Sequence, residues 1–91
     1  MKVRAVYNFI GKTKSKSELS INQKTHFKTR YFERVGVRCI EPIYQNIMFK
    51  LRSGKLKCTR IGDRKGYELK VEAHSYEIIY DTKTDTLVTI F

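Results

Sequence analysis

An imidazole and two guanidinium groups follow one another at intervals of four residues in the stretch T-H-F-K-T-R-Y-F-E-R. They belong to His26, Arg30 and Arg34. Residues four apart in an α-helix lie one turn apart on the same side, so the three groups would form one row. Imidazole transfers protons near neutral pH, and arginine donates paired hydrogen bonds to anionic oxygens. The row is therefore a candidate site for an anionic substrate, with general acid–base catalysis as its chemistry. The alternative, which the residues alone favour, is that His26 is a helix-start residue that faces solvent.

Two helices that position this row are predicted over residues 25–52, with a break at Gly36. Thr25 is the expected N-cap of the first, Gly36 suits the residue that follows its end, and Pro42 fits the first turn of the second. Each helix has an apolar face at helical spacing. These faces comprise Phe27, Tyr31, Phe32 and Val35 in the first helix, and Ile40, Ile43, Tyr44, Ile47, Met48 and Leu51 in the second.

The rest of the chain predicts one α+β domain, residues 1–91. Alternating or β-rich runs predict strands, and the polar run between the first strand and the helices predicts a basic linker. The short connections between the last four strands require antiparallel hairpins. We expect a twisted antiparallel sheet of about four to five strands, with the helix pair on one face and the other face open. The predicted segments are an N-terminal strand at 1–10, the linker at 11–24, strands at 55–61, 67–73, 75–81 and 86–91, and a turn at 62–66.

The charge is strongly positive and uneven. The net charge is +10, and residues 1–60 carry 15 Lys or Arg against 3 acidic residues. Such a field attracts polyanions, nucleic acid first, and an open basic sheet face suits an extended single strand. No apolar run is long enough for a transmembrane helix and no secretion signal is expected, which favours the cytoplasm and no membrane partner. Cys39 and Cys58 are expected to be buried free thiols.

The stretch H-F-K-T-R-Y-F-E-R-V-G-V-R-C-I-E-P-I-Y-Q-N-I resembles the helical opening of small phage and bacterial ribonuclease domains. These belong to the assemblage of RelE-like toxins, barnase and related colicin domains, and the RegB-like phage ribonucleases are among them. The final run L-V-T-I-F, residues 87–91, is similar to the last strand of the toxin-like group. The resemblance covers residues 25–51 and, more loosely, 55–91. It implies a RelE/RegB-like arrangement of helices and sheet.

The resemblance also implies metal-independent RNA cleavage that needs no cofactor. The ribose 2′-hydroxyl attacks the neighbouring phosphate and leaves a 2′,3′-cyclic phosphate and a 5′-hydroxyl. His26 matches the helix histidine and Arg30 the arginine one turn later. The second histidine of RegB-like enzymes has no counterpart at its position, which leaves His74 as the candidate acid. RelE-type members use Arg, Lys and Tyr, so the RNA-binding candidates are Arg34, Lys57, Arg60, Tyr80 and Thr89.

The leading hypothesis is therefore an endoribonuclease acting on single-stranded RNA or mRNA, with the ribosome or a cognate antitoxin as further partners. Two alternatives stay open. One is a non-catalytic nucleic-acid-binding protein of the same fold, and the other is a basic phage protein that binds an acidic host protein. No paired Cys or His spacing indicates a zinc site.

Overall fold

The structure is a computed structural model that describes residues 16–91. It contains two helices and one sheet of four antiparallel strands in the order β1-β2-β3-β4, which confirms the predicted α+β class. The predicted strand at residues 1–10 and the linker residues 11–15 lie outside the described residues. The elements are α1 (Lys16–Val35), α2 (Glu41–Arg52), β1 (Cys58–Arg60), β2 (Arg64–Val71), β3 (His74–Asp81) and β4 (Thr86–Ile90).

The core lies between the two helices and one face of the sheet. Phe27 of α1 is fully buried, and its ring centroid lies 5.8 Å from that of Tyr44 on α2 in an edge-to-face arrangement. Alternation along β2 turns Tyr67, Leu69 and Val71 towards the helices, as predicted from their spacing. The other main contributors are Tyr31, Ile47, Met48, Leu51, Ile78, Leu87 and Ile90.

A β-bulge in β4, the outermost strand of the described sheet next to β3, lies beside a hydrogen bond to α2. The register between β3 and β4 shifts where Ile79 pairs with Thr89 and Tyr80 pairs with Leu87, so Val88 has no partner across the ladder. The Leu87 N–H instead donates to the Tyr44 hydroxyl at 3.1 Å. Burial raises the pKa of Tyr44, which keeps this hydroxyl neutral.

Helix α1 begins at Lys16, so the linker predicted over residues 16–24 is wrong, and Thr25 lies inside a helix and not at its N-cap. Polar contacts with the β3–β4 turn account for the extra helical turns. Gln23 is 6 % exposed; its Nε2 donates to Asp81 at 2.9 Å and its Oε1 accepts from the Thr84 hydroxyl at 2.6 Å. Because the buried side chains of these turns are polar, hydrophobic periodicity does not reveal them.

The carboxylate of Asp81 makes stability depend on pH. Burial alone would raise the pKa of Asp81, but hydrogen bonds from Gln23 and from the Lys83 and Thr84 backbone N–H groups outweigh it, and the net pKa lies below its ordinary value. A lowered folded-state pKa stabilises the fold above the unfolded value of about 3.9. That contribution is lost as the pH falls from there through the folded-state pKa.

We expect Asp81→Asn to lower the free energy of unfolding at neutral pH by about 1–3 kcal/mol, because it weakens the bonds to buried donors. The difference in the free energy of unfolding between the variant and the wild type should become smaller as the pH falls below about 4. Urea denaturation at a series of pH values measures both quantities. A deficit that stays constant down to acid pH would show that the Asp81 charge does not contribute.

Several predicted boundaries and faces need correction. Phe32 is 53 % exposed, because it lies about 100° around α1 from the buried Tyr31. Ile40 is also 53 % exposed, because it is the N-cap of α2 and lies outside the helical repeat. Cys58 is exposed, since the short strand β1 lies beyond the helices.

The strand boundaries also differ from the prediction. In the predicted strand 55–61, the residues before Cys58 form a loop. Strand β2 begins within the predicted turn 62–66, because Arg64 pairs with Asp81.

Candidate functional site

A groove runs between α2 and the part of the β2 edge that has no strand neighbour in the described chain. It consists of two adjoining cavities of about 410 and 390 Å³ that share Lys50, Leu69 and Lys70. Four lysines from three parts of the chain line it. They are Lys50 of α2, Lys55 and Lys57 of the following loop, and Lys70 of β2, and we call the whole the lysine groove.

The sheet leaves this groove open because β1 is short. Cys58 and Arg60 of β1 pair with Tyr67 and Gly66, and the Glu68 N–H then donates to the Lys57 carbonyl at 2.8 Å. Residues 69–71 continue past the end of β1, so they have no strand neighbour on this side within the described chain. Beyond them the groove continues between α2 and Val71–Glu72, with Tyr31 in its lining.

The charge of the groove is not neutralised by ion pairs. Among the basic side chains that the structure describes, seven form ion pairs and seven do not. Four of the seven unpaired side chains are the lysines of this groove. The other three are Arg34, Arg38 and Lys65.

Two carboxylates, Glu68 and Glu72, also line the groove. Glu68 accepts a hydrogen bond from the Ser75 hydroxyl at 2.6 Å. That hydrogen bond lowers the pKa of Glu68, and the nearby charges of Lys70 and Lys57 lower it further. Four cations against two carboxylates leave a net positive groove, which attracts anions.

The open face of the sheet has a different charge. Glu68 and Glu77 occupy directly opposed positions of β2 and β3, on the face turned away from the helices. Glu77 also pairs with Arg60 at 3.4 Å and accepts from the Thr59 hydroxyl at 2.7 Å. Because Glu77 offsets the charge of Arg60, and Glu68 lines the groove as well, the groove with its four unpaired lysines is the better anion site.

The helix row predicted for chemistry lies away from the groove. His26 is exposed on α1, and Arg30 is paired with Glu33 at 3.0 Å. His26 is five positions before Tyr31, which lines the groove. The His26 side chain therefore points about 140° around the helix from that of Tyr31. In the described chain, no hydrogen bond, ion pair or ring contact joins His26, Arg30 and His74.

His74, in contrast, lies near one end of the groove, and so does the backbone of Arg34. His74 pairs across the β2–β3 hairpin with Val71, which lines the groove. Its ring centroid lies 6.4 Å from that of Tyr76, whose hydroxyl donates to the Arg34 carbonyl at 3.4 Å. The structure thus separates the predicted catalytic residues into two neighbourhoods.

The other predicted RNA-binding residues are dispersed. Lys57 lines the lysine groove, whereas Arg60 is paired with Glu77 outside it. Thr89 is half-buried and pairs with Ile79. The Tyr80 hydroxyl donates to Asp85, and burial followed by this hydrogen bond raises the pKa of Tyr80 to about 12. A phenol with that pKa stays protonated at neutral pH, so Tyr80 is a hydrogen-bond donor and not a base.

A larger hollow of about 720 Å³ lies between α1 and the α1–α2 loop. Its exposed apolar residues are Phe32 and Ile40. Lys28 at its rim forms an ion pair with Glu41 at 2.8 Å. The pKa of Glu41 is lowered to about 2 by hydrogen bonds from Lys24 and Lys28. This hollow therefore has less unpaired positive charge than the lysine groove.

Of the four lysines in the groove, Lys57 is predicted from the sequence, whereas Lys50, Lys55 and Lys70 are not. A signal for the first two is present in the sequence. Between Glu41 and Asp63 the chain has no acidic residue, and it carries five basic ones, namely Lys50, Arg52, Lys55, Lys57 and Arg60. Lys70 has no such signal, because Glu68 and Glu72 flank it in sequence.

Within residues 16–91, no three His, Cys, Asp or Glu side chains lie together in a way that could hold a metal ion. The same residues include no helix that is both long enough and apolar enough to cross a bilayer. No protein-family model, no curated protein and no solved structure matches the chain. The similarity to ribonuclease domains therefore stays a prediction from the motif.

Proposed function

We propose that this protein binds the sugar-phosphate backbone of nucleic acid in the lysine groove. The observation that carries the proposal is the convergence of Lys50, Lys55, Lys57 and Lys70 on one groove without an ion-pair partner in the described chain. Lysine is a phosphate ligand that acts as a point charge and tolerates a varied backbone geometry. RNA is the nucleic acid we expect, following the motif resemblance.

The salt dependence of binding tests the proposal. Four lysine–phosphate contacts on a single strand should give a slope of log Kobs against log salt of about −3, since each contact contributes about −0.7. Fluorescence anisotropy with a labelled oligonucleotide measures this slope. The absence of binding at low salt, or a slope near zero, would contradict the proposal.

RNA cleavage is the second candidate function, and the position of His74 favours it. An RNA strand that followed the groove past Val71 would approach His74, and Arg34 of α1, whose backbone carbonyl accepts from Tyr76, has no ion-pair partner among the described residues. An imidazole there can accept the 2′-hydroxyl proton or donate one to the leaving 5′-oxygen, and Arg34 can stabilise the developing charge on the phosphate. His26 and Arg30 lie outside this path.

Incubation of RNA with the purified protein in EDTA distinguishes binding from cleavage. A nuclease should leave 2′,3′-cyclic phosphate ends, and His74→Asn should lose the activity while His26→Asn retains it. The opposite pattern would assign the chemistry to the helix row predicted from sequence. If the RNA bound to the protein and stayed intact, the protein would be a non-catalytic nucleic-acid-binding protein.

We propose the cytoplasm as the location. Cys58 is an exposed free thiol, and exposed unpaired thiols are typical of reducing compartments. A cytoplasmic location also gives the protein access to RNA.

A further inference from the structure

Phe49 is an exposed aromatic side chain without a structural role in the core. It lies on α2 between the buried Met48 and the groove residue Lys50, yet its side chain is 61 % exposed. It lines a shallow hollow of about 440 Å³ with Gln45, Arg52 and Ser53. The cost of exposing a large apolar ring is offset when a ligand covers it.

Phe49 is linked to the lysine groove through Lys55. The ammonium group of Lys55 lies 5.6 Å from the centroid of the Phe49 ring, within the range of a cation–π contact. Lys55 also lines the groove, and its backbone N–H donates to the Lys50 carbonyl at 3.0 Å. The Lys55 ammonium therefore lies over the Phe49 ring at one end of the groove, and because Phe49 is still 61 % exposed, a base can contact the ring while Lys55 binds a phosphate.

We propose that Phe49 is a base-stacking position and that the ligand of the groove is consequently single-stranded nucleic acid. This inference rests on the proposed function. In a duplex the bases are stacked on one another and paired, whereas an unpaired base can stack on a protein ring. An acidic peptide would satisfy the lysines, but it would have no base for Phe49.

The test compares three ligands of similar charge: a short oligouridylate, an RNA duplex and inorganic polyphosphate. Stacking on an aromatic ring changes affinity by about 5-fold or more per base. Phe49→Ala should therefore weaken oligouridylate binding by about 5-fold or more, without altering polyphosphate affinity or the salt slope. Phe49→Tyr should retain binding. Phe32→Ala is the matched control, because Phe32 is 53 % exposed on α1 and lies outside the groove.

The chain has no tryptophan, so a Phe49→Trp variant reports on this position alone. Its fluorescence should be quenched by oligouridylate but not by polyphosphate, and a Phe32→Trp variant should respond to neither. Equal losses of oligouridylate and polyphosphate affinity in Phe49→Ala would overturn the stacking role, as would unchanged affinity for both or tighter binding of the duplex. If the wild type bound neither single-stranded RNA nor polyphosphate, the proposed function would be overturned as well.

Discussion

The double variant Lys50→Gln/Lys57→Gln is expected to bind a single-stranded oligonucleotide about 25-fold more weakly than the wild type at about 0.1 M salt. The slope of log Kobs against log salt should become less negative by about 1.4, because two of the four phosphate contacts are removed. Both lysines line the groove and neither has an ion-pair partner in the described chain. The substitution therefore removes charge without breaking an ion pair, and circular dichroism should show the wild-type fold.

The matched control for this variant is Arg38→Gln/Lys65→Gln, which removes the same charge elsewhere and also breaks no ion pair in the described chain. Lys65 pairs in register with Tyr80, about 17 Å along β2 from Lys70, and Arg38 lies in the loop between α1 and α2, outside the groove. We expect at most a small change in affinity and an unchanged slope. If the control lost as much affinity as the groove variant, binding would depend on net charge and not on the lysine groove.

Phe27→Ala is expected to lower the free energy of unfolding by about 3–5 kcal/mol. Phe27 is fully buried, and its ring centroid lies 6.1 Å from that of Tyr31 and 5.8 Å from that of Tyr44. Its removal leaves a cavity where α1, α2 and the sheet meet. A small domain has only about 5–15 kcal/mol of stability, so the variant should unfold at a much lower urea concentration.

Phe32→Ala provides the comparison on the same helix. The same atoms are removed from a side chain that is 53 % exposed. The free energy of unfolding should therefore fall by no more than about 0.5 kcal/mol. Equal losses in the two variants would contradict the helix orientation described here, in which Phe27 and not Phe32 faces the sheet.

The strand order and the main core residues follow from local sequence patterns. Alternation places Tyr67, Leu69 and Val71 on one face, and the short connections leave antiparallel hairpins as the only pairing that fits. Gly36 at the end of α1 has a φ of 87°, as expected of a residue that follows a helix in the left-handed region. These features depend on neighbours in sequence, which is why they are predictable.

The start of α1 and the lysine groove depend instead on residues far apart in the chain. Gln23 is buried by contacts with Asp81 and Thr84, about sixty residues later, and no local pattern encodes them. Lys50 and Lys70 share a groove because β1 begins only at Cys58 and α2 packs beside the part of the β2 edge that β1 leaves unpaired in the described chain. The row of His26, Arg30 and Arg34 was predictable as a row, but its distance from His74 was not, since that distance depends on where α1 crosses the sheet.

Amide chemical shifts followed by NMR during a titration with oligouridylate test the central claim most directly. We predict that the shifts which change most belong to the lysine groove and its ends, namely Phe49, Lys50, Lys55, Lys57, Lys70 and Val71. Changes centred on His26 and Arg30, changes confined to the open face around Arg60 and Glu77, or no changes at low salt would contradict it.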